Sequence, residues 1–487
     1  MKTALSALGR RTTLPPISWL MHAALSRPKL ISLAAGFTDN ATLPVEISRK
    51  MLNRVLRSPK TGQPALQYGI TAGETNLRQL TARHLRKLDL GGTPGRRPQI
   101  QGRRHAVPPE IHSWERLMIT GGSQQLLYMT MEALCDEGDI VLVEDPTYFV
   151  FLSILQSRGL RARGVGSLFA RNSACLRRNN GCKKAPERDG LDLEHLETVL
   201  QRLKKTGELR RVKALYLVSY FQNPTGVTTN FQKKRGILKL LKQFERSAGH
   251  PIYLIEDAAY RELRFGRDAA PRRLRSSRRD DPTIAPSALM APGAADRVIY
   301  TGTYSKPYAP GARVGFGLLP EPLFNTIQYV KGNHDFGTAN LLQQLIAGTL
   351  ETGLYDRHVA KIQRRYAQKA RVMKQALAEH FPPEVEIWEP GGGLYFWARL
   401  PKNVSTGLKS KMFQTALKND VLYVPGEICY ADDPSRKKPD HEMRLSFGSA
   451  SEEEIREGIR RLGKVLWELA AKRHKRHKKR PPQNPLW

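Results

Sequence analysis

The sequence predicts an α/β protein with a mainly parallel central sheet flanked by helices, followed by a smaller α+β C-terminal domain. Three observations predict it. From Leu117 to Tyr300 short apolar runs alternate with amphipathic helical stretches, the pattern of βαβ units. Most of these runs end in polar residues, where ligands bind in open parallel sheets. Beyond residue 331 the pattern changes to long helices and a few short strands. At 487 residues the chain also exceeds one ordinary domain. The expected division is an arm at 1–45, a large domain at 46–330, a small domain at 331–470 and a basic tail at 471–487.

The arm holds one helical piece, at 17–25, and an apolar run at 31–36 ending in Gly36. Gly36 either lets backbone approach a ligand closely or makes a turn. Ile47, Met51, Leu52 and Val55 share one face of a helix at 44–57. Gln67-Tyr68-Gly69 leads toward a helix at 74–88. A strand at 117–120 runs into the turn Gly121-Gly122-Ser123-Gln124 and a helix at 126–134. A strand at 139–144 ends at Asp145-Pro146-Thr147-Tyr148, before another helix. A helix at 192–203 precedes a strand at 214–219 that ends in Asn223-Pro224-Thr225-Gly226. A helix at 233–246 precedes a strand at 252–255 that ends in Glu256-Asp257-Ala258-Ala259-Tyr260. A strand at 297–300 leads to Thr303, Ser305, Lys306 and Arg313. The small domain has helices at 338–351 and 356–380, strands at 385–388, 394–399 and 442–447, and a helix at 452–470.

Composition narrows the function. The chain is 40% hydrophobic and 25% charged, ordinary for a globular protein. No run of 18 apolar residues is present, so no membrane span is expected. Residues 1–11 lack the apolar core of a signal peptide. Cys135, Cys175, Cys182 and Cys429 have no metal-ligand spacing and read as free thiols in a reducing cytoplasm. No metal site is expected. The formal charge of +34 is the anomaly, and the segments 91–112, 161–190, 261–281 and 472–480 carry much of it. They read as loops and a tail with a basic, solvated surface. Contact with nucleic acid is the sharper alternative, but the basic residues lack interleaved aromatics and match no nucleic-acid motif.

The polar strand ends fit one kind of ligand. Lys306 follows an apolar strand and can form a Schiff base if its surroundings lower its pKa. The hydroxyls of Thr303 and Ser305 and the guanidinium of Arg313 suit a phosphate, as do the free N–H groups where the turn at Ser123 opens a helix. A carbonyl cofactor carrying a phosphate is pyridoxal 5'-phosphate (PLP). Asp257 could pair with a protonated pyridine nitrogen and make the ring an electron sink. Asn223 and Tyr260 could share its phenolate oxygen, and Tyr148 could lie against its face. Singly, each has an ordinary use. Lys306 could be a solvated lysine, Asp257 a helix cap, Asn223 a turn residue, and Tyr148 a core aromatic.

Taken in this order, each at a strand end, these residues resemble those of the class I/II aminotransferases of PLP fold type I. The resemblance runs from about residue 30 to residue 470, broken by the basic segments. Asn223-Pro224-Thr225-Gly226, Asp257 with Tyr260, and Ser305-Lys306 with Arg313 carry it most specifically. Gln67-Tyr68, the 119–125 turn and Asp145-Pro146-Thr147-Tyr148 look like the kynurenine/2-aminoadipate branch, whose domain the MocR-type regulators share. The resemblance implies a cytoplasmic enzyme that moves an amino group from an amino acid to a 2-oxo acid. Lys306 would hold PLP and move the proton. Asp257, Asn223, Tyr260 and Tyr148 would bind its ring, and Ser123, Gln124, Thr303, Ser305 and Arg313 its phosphate. Tyr68 would reach the phosphate of a neighbouring subunit, which implies a homodimer. Arg444 would bind the substrate carboxylate, with Gly36 and Asn223 beside the substrate. A PLP-dependent lyase or decarboxylase of the same fold is one rival. A PLP-binding regulator is another, although the residues before Leu33 are too few for its winged helix.

Overall fold

The computed structural model describes residues 4–90, 99–100, 103–104, 109–166, 190–266, 285–434 and 436–477. Its strands, in chain order, are β1 (Ile31–Ser32), β2 (Gln99–Ile100), β3 (Arg103–Arg104), β4 (Leu117–Thr120), β5 (Ile140–Val143), β6 (Arg161–Gly164), β7 (Val212–Val218), β8 (Tyr253–Asp257), β9 (Val298–Thr303) and β10 (Gly315–Leu318). The chain continues with β11 (Glu386–Trp388), β12 (Tyr395–Arg399), β13 (Val421–Leu422), β14 (Val424–Pro425) and β15 (Glu442–Ser446).

The central sheet has seven strands in the order β4-β10-β9-β8-β7-β5-β6. Only β10 runs antiparallel; it pairs with both β4 and β9. The other strand pairs are parallel. β4 and β5 are buried at every position. Strands covered on both faces read as continuous apolar runs, which is why they show in the sequence. The covering helices are fixed at their ends. Glu74 accepts from the N–H groups of Asn76 and Leu77 at the start of helix Thr75–Asp89. Asn230 caps helix Phe231–Ala248 through Lys233 N–H, and Gly249, in the left-handed region, ends it.

The second sheet, β11-β12-β15-β14, is antiparallel; helices Leu354–His380 and Glu452–His477 pack on each other, and the second of them on β1 and β13. Several contacts join the halves. β1 pairs in parallel with β13. Thr147 N–H donates to Cys429 O at 2.7 Å. Arg436, between β14 and β15, pairs with the buried Asp145 that follows β5.

The structure differs from the sequence reading in several places. Arg161–Gly164, assigned to a basic loop, is the edge strand β6; its arginines reach Gly138 O, Glu208 and Asp433. Charged residues are usual on an edge, where they discourage further pairing. Arg261, assigned to another basic loop, is buried against Asp89, which also takes His112 and Ser287. The expected boundary at 330/331 falls inside helix Glu321–Asp335, which packs on helix Ser123–Leu134 of the large domain. The arm does not stand apart, since its residues 31–36 join the small domain. The last helix continues to His477, into the expected tail. In segment 91–112, read as a loop, β2 and β3 pair antiparallel; residues 91–98, 101–102, 105–108, 167–189, 267–281 and 478–480, with Cys175 and Cys182, lie outside the described residues. No group of residues suited to a metal occurs among the described residues, and no described helix is long and apolar enough to cross a membrane.

Candidate active site

Strand register gathers the sequence-predicted residues at one edge of the central sheet. Asp257 ends β8, level with Val218 on β7 and Thr301 on β9. Lys306 lies three residues beyond β9. Gly315 opens β10 opposite both Thr120 and Thr303, so Arg313 lies at the same edge. The turn after β4, Tyr148 after β5 and Asn223 after β7 complete the rim.

Asp257 is 3% exposed. Its carboxylate accepts from Tyr216 Oη at 2.7 Å and from Ala259 N–H at 3.1 Å. Burial pushes its pKa up to about 6, against those bonds and the charge of Lys306. A carboxylate so placed calls for a cation, and a protonated pyridine nitrogen is one. Lys306 Nζ donates to Gly36 O at 2.8 Å and stands 5.9 Å from the Tyr260 ring centre. Burial, with the charges of Arg444 and Arg313, pushes its pKa down to about 8.

Arg444, in the middle of β15, is almost fully buried. Nη1 donates to Asn223 Oδ1 at 2.6 Å and Nη2 to Ala34 O at 2.5 Å. Nε has no hydrogen-bond partner. The guanidinium lies 4.3 Å from the Tyr395 ring centre. Tyr260 Oη is 2.9 Å from Tyr395 Oη, and Asn223 Nδ2 donates to it at 3.5 Å.

The other end of the site is a cradle of backbone. Gly122, at φ 95°, precedes helix Ser123–Leu134. Arg313, at φ 49°, donates through Nη2 to Gly121 O at 3.0 Å. A Cβ on Gly122 would lie 2.7 Å from that Nη2, so only glycine lets the arginine cross the helix N-terminus. Thr303 Oγ1 bonds to Ser305 Oγ at 3.0 Å and accepts from Ser305 N–H at 3.1 Å. Free N–H groups, hydroxyls and a guanidinium are the donor set a phosphate needs. The buried carboxylate and this cradle together fit PLP.

Not all predicted residues meet at this rim. Tyr148 is half-buried, with its hydroxyl pKa pushed well up by burial and by Tyr395 and Asp257 nearby. Ser123 opens the helix and Gln124 is exposed beside it. Tyr68 is 83% exposed and packs edge-on against Phe336, with ring centres 5.5 Å apart. Among the described residues, no hydrogen bond, ion pair or ring contact joins Tyr68 to the other site residues. The sequence reading also missed Tyr216, Tyr395 and the carbonyl of Ala34. Tyr216 left one signal: a tyrosine within an apolar interior strand needs a partner for its hydroxyl.

Comparison with known proteins agrees with this geometry. Residues 28–462 match the family described as aminotransferase class I and II. The aromatic-amino-acid aminotransferase 1 of Thermococcus litoralis is 32% identical over 440 residues, covering 90% of this chain and 88% of its own. The 2-aminoadipate transaminase of Thermus thermophilus is 32% identical, covering 91% and 92%. The crystal structure of a Pyrococcus horikoshii kynurenine aminotransferase, in complex with PMP, KYN as substrates and KYA as products, superposes with a TM-score of 0.75. It is 28% identical and covers 96% of this chain and 97% of its own. The architecture is that of fold type I, and the chain belongs to the class I and II aminotransferase family, enzymes that use pyridoxal phosphate.

Proposed function

We propose that this PLP-dependent aminotransferase is a cytoplasmic homodimer that takes a large apolar, aromatic or 2-aminoadipate-like amino donor and passes its amino group to a 2-oxo acid. The observation that carries the reading is the meeting of three groups: Lys306 Nζ and the buried Asp257 carboxylate at one edge of the central sheet, and the Arg444 guanidinium brought to that edge from the small sheet by its bond to Asn223. Similarity to aromatic and 2-aminoadipate aminotransferases supports the donor class. Buried free thiols at Cys135 and Cys429 agree with a reducing compartment. Leu66, Tyr68, Ile70 and Phe336 form an exposed apolar patch of the kind that a second subunit covers.

When bound, the cofactor supplies a ring that withdraws electrons from the substrate Cα. The chain's residues do the rest. Asp257 would pair with the pyridine nitrogen and favour its protonated form. Asn223 and Tyr260 would bind the phenolate oxygen, and Tyr148 the ring. The turn at Ser123 and Gln124, with Thr303, Ser305 and Arg313, would hold the phosphate. Arg444 would take the α-carboxylate through Nε and the second hydrogens of its Nη atoms, with Gly36 and Asn223 beside the substrate. Lys306 would be the lysine that holds the cofactor. A pKa near 8 leaves a usable neutral fraction, so Nζ can take the Cα proton and hand it on.

The test is borohydride reduction followed by peptide mapping. The pyridoxyl group should lie on Lys306, and Lys306→Ala should bind PLP without fixing it. A pyridoxyl group on another lysine would end this assignment. A screen of amino acids for loss of the lysine-bound chromophore then identifies the donor.

A further inference from the structure

One buried side chain touches three parts of the site without a role in the reading above. Tyr395, on β12, is 1% exposed. Its hydroxyl lies 2.9 Å from Tyr260 Oη. Its ring lies 4.3 Å beneath the Arg444 guanidinium. A Cβ on Gly36 would come within 2.6 Å of its hydroxyl, so the glycine leaves the space this oxygen fills.

Both faces of the residue have a physical consequence. Asn223 Nδ2 already points one donor at Tyr260 Oη. If Tyr395 donates as well, both lone pairs of that oxygen are occupied and its own hydrogen is left to point elsewhere. A phenol that accepts hydrogen bonds is a stronger donor, because each bond polarises the next. The ring does a different job. It offers Arg444 a negative π-face, which attracts a guanidinium and fixes its plane. Tyr395 and Arg444 also stand on neighbouring strands, where Trp397 is paired with Arg444 and Tyr395 with Ser446. The carboxylate-binding group and the group that braces Tyr260 thus move as one piece.

We propose that Tyr395 is a positioning residue that couples the carboxylate end of the site to the cofactor end, its ring seating Arg444 and its hydroxyl directing the Tyr260 proton toward the cofactor's phenolate oxygen. This rests on the aminotransferase reading of the site. Among the described residues, Tyr148, Arg444 and Lys306 also act on Tyr260, and removing the Tyr395 hydroxyl alone deletes none of them.

Two substitutions separate the two jobs. Tyr395→Phe keeps the ring and deletes the hydroxyl. With a weaker donor on the phenolate oxygen, the lysine-bound cofactor should hold its proton more tightly. The midpoint of its absorbance titration should rise by about half a unit to one unit, from loss of one hydrogen bond. Binding of 3-phenylpropionate, a carboxylate without an amine, should stay within about twofold. Tyr395→Leu deletes the ring as well and should weaken 3-phenylpropionate about fivefold or more. A wild-type protein with no titrating lysine-bound band would overturn the site reading itself. A wild-type titration shared unchanged by Tyr395→Phe would overturn the hydroxyl's role alone. Unchanged carboxylate binding in Tyr395→Leu would overturn the ring's role. If Tyr395→Leu does not fold, the spectrum of Tyr395→Phe still decides the hydroxyl's role, and Tyr395→Met, which also removes the ring, replaces Tyr395→Leu in the carboxylate-binding test.

Discussion

Arg444 and Asn223 are 221 residues apart in sequence and joined by a 2.6 Å hydrogen bond. One stands on the small sheet and the other beyond an inner strand of the large one. The Arg444 guanidinium is therefore aimed by the same amide that reaches Tyr260.

The first prediction concerns that aim. Arg444→Lys keeps the charge but cannot serve Asn223, Ala34 and a substrate carboxylate together, because the planar fork is gone. We expect kcat/KM for amino acids to fall about 100-fold, equivalent to about 3 kcal/mol of lost placement. The loss for an amine lacking the carboxylate should be much smaller. Paired kinetics on the two substrates check this, and equal losses would assign Arg444 to the fold.

Asp257→Asn should have opposite effects on two measurements. Turnover should fall by orders of magnitude, because an amide cannot keep the pyridine nitrogen protonated. The cofactor-free protein should instead gain stability at pH 8. The carboxyl binds its proton more tightly folded than unfolded, since its pKa rises from 3.8 to about 6. Its contribution to folding is thus present below about pH 4 and lost as pH rises through about 6. The full cost is about 3 kcal/mol before relaxation. Thermal unfolding of cofactor-free wild type and variant at pH 5 and pH 8 should show a gap that widens at pH 8.

Arg436→Ala tests the contact between the two halves. Asp145 is buried, and its pKa is pushed up to about 7 by burial despite the Arg436 charge. By the same sign argument its favourable contribution is lost as pH rises toward 7. Removing the arginine raises that pKa further. The variant should lose about 2 kcal/mol at pH 8, less than a fully buried pair would because Arg436 is partly exposed. The difference from wild type should shrink toward pH 5. Denaturant titrations at the two pH values measure it.

Tyr68 serves to test the dimer. If it reaches the phosphate of a neighbouring subunit, its exposed position is explained. Tyr68→Phe should remain dimeric by sedimentation and bind PLP about tenfold more weakly, for loss of one charge-assisted hydrogen bond. A monomeric wild type, or unchanged PLP affinity in the variant, would remove Tyr68 from the site.

Much of this fold was legible because β4, β5, β7, β8 and β9 are buried on both faces and so spell apolar runs. β10 was not, because Gly315 and Gly317 interrupt the run. Packing demands them: a Cβ at Gly317 would strike Leu126, and one at Gly315 the backbone of Gly122. β6 was hidden because an edge strand can be built from Arg-Ala-Arg-Gly. At the site, chemistry-bearing side chains clustered at strand ends and could be found. Their supports could not. Gly36 O and Ala34 O accept through the main chain, which has no side-chain signature, and the Tyr260–Tyr395 contact exists only once two domains meet.

The pairing of β1 with β13 also sets a timetable. The segment carrying Ala34 and Gly36 is made early, yet its anchors at Asp420, Leu422 and Ser446 come near the end of the chain, and Ala34 itself is 410 residues from Arg444. Contacts of such separation form slowly. During synthesis the central sheet can therefore bury its core well before the carbonyls that hold Lys306 and Arg444 have anything to rest on. A nascent chain stopped at β10 would have a complete seven-stranded sheet and Lys306, but neither Arg444 nor the strands that the Ala34 segment bonds to.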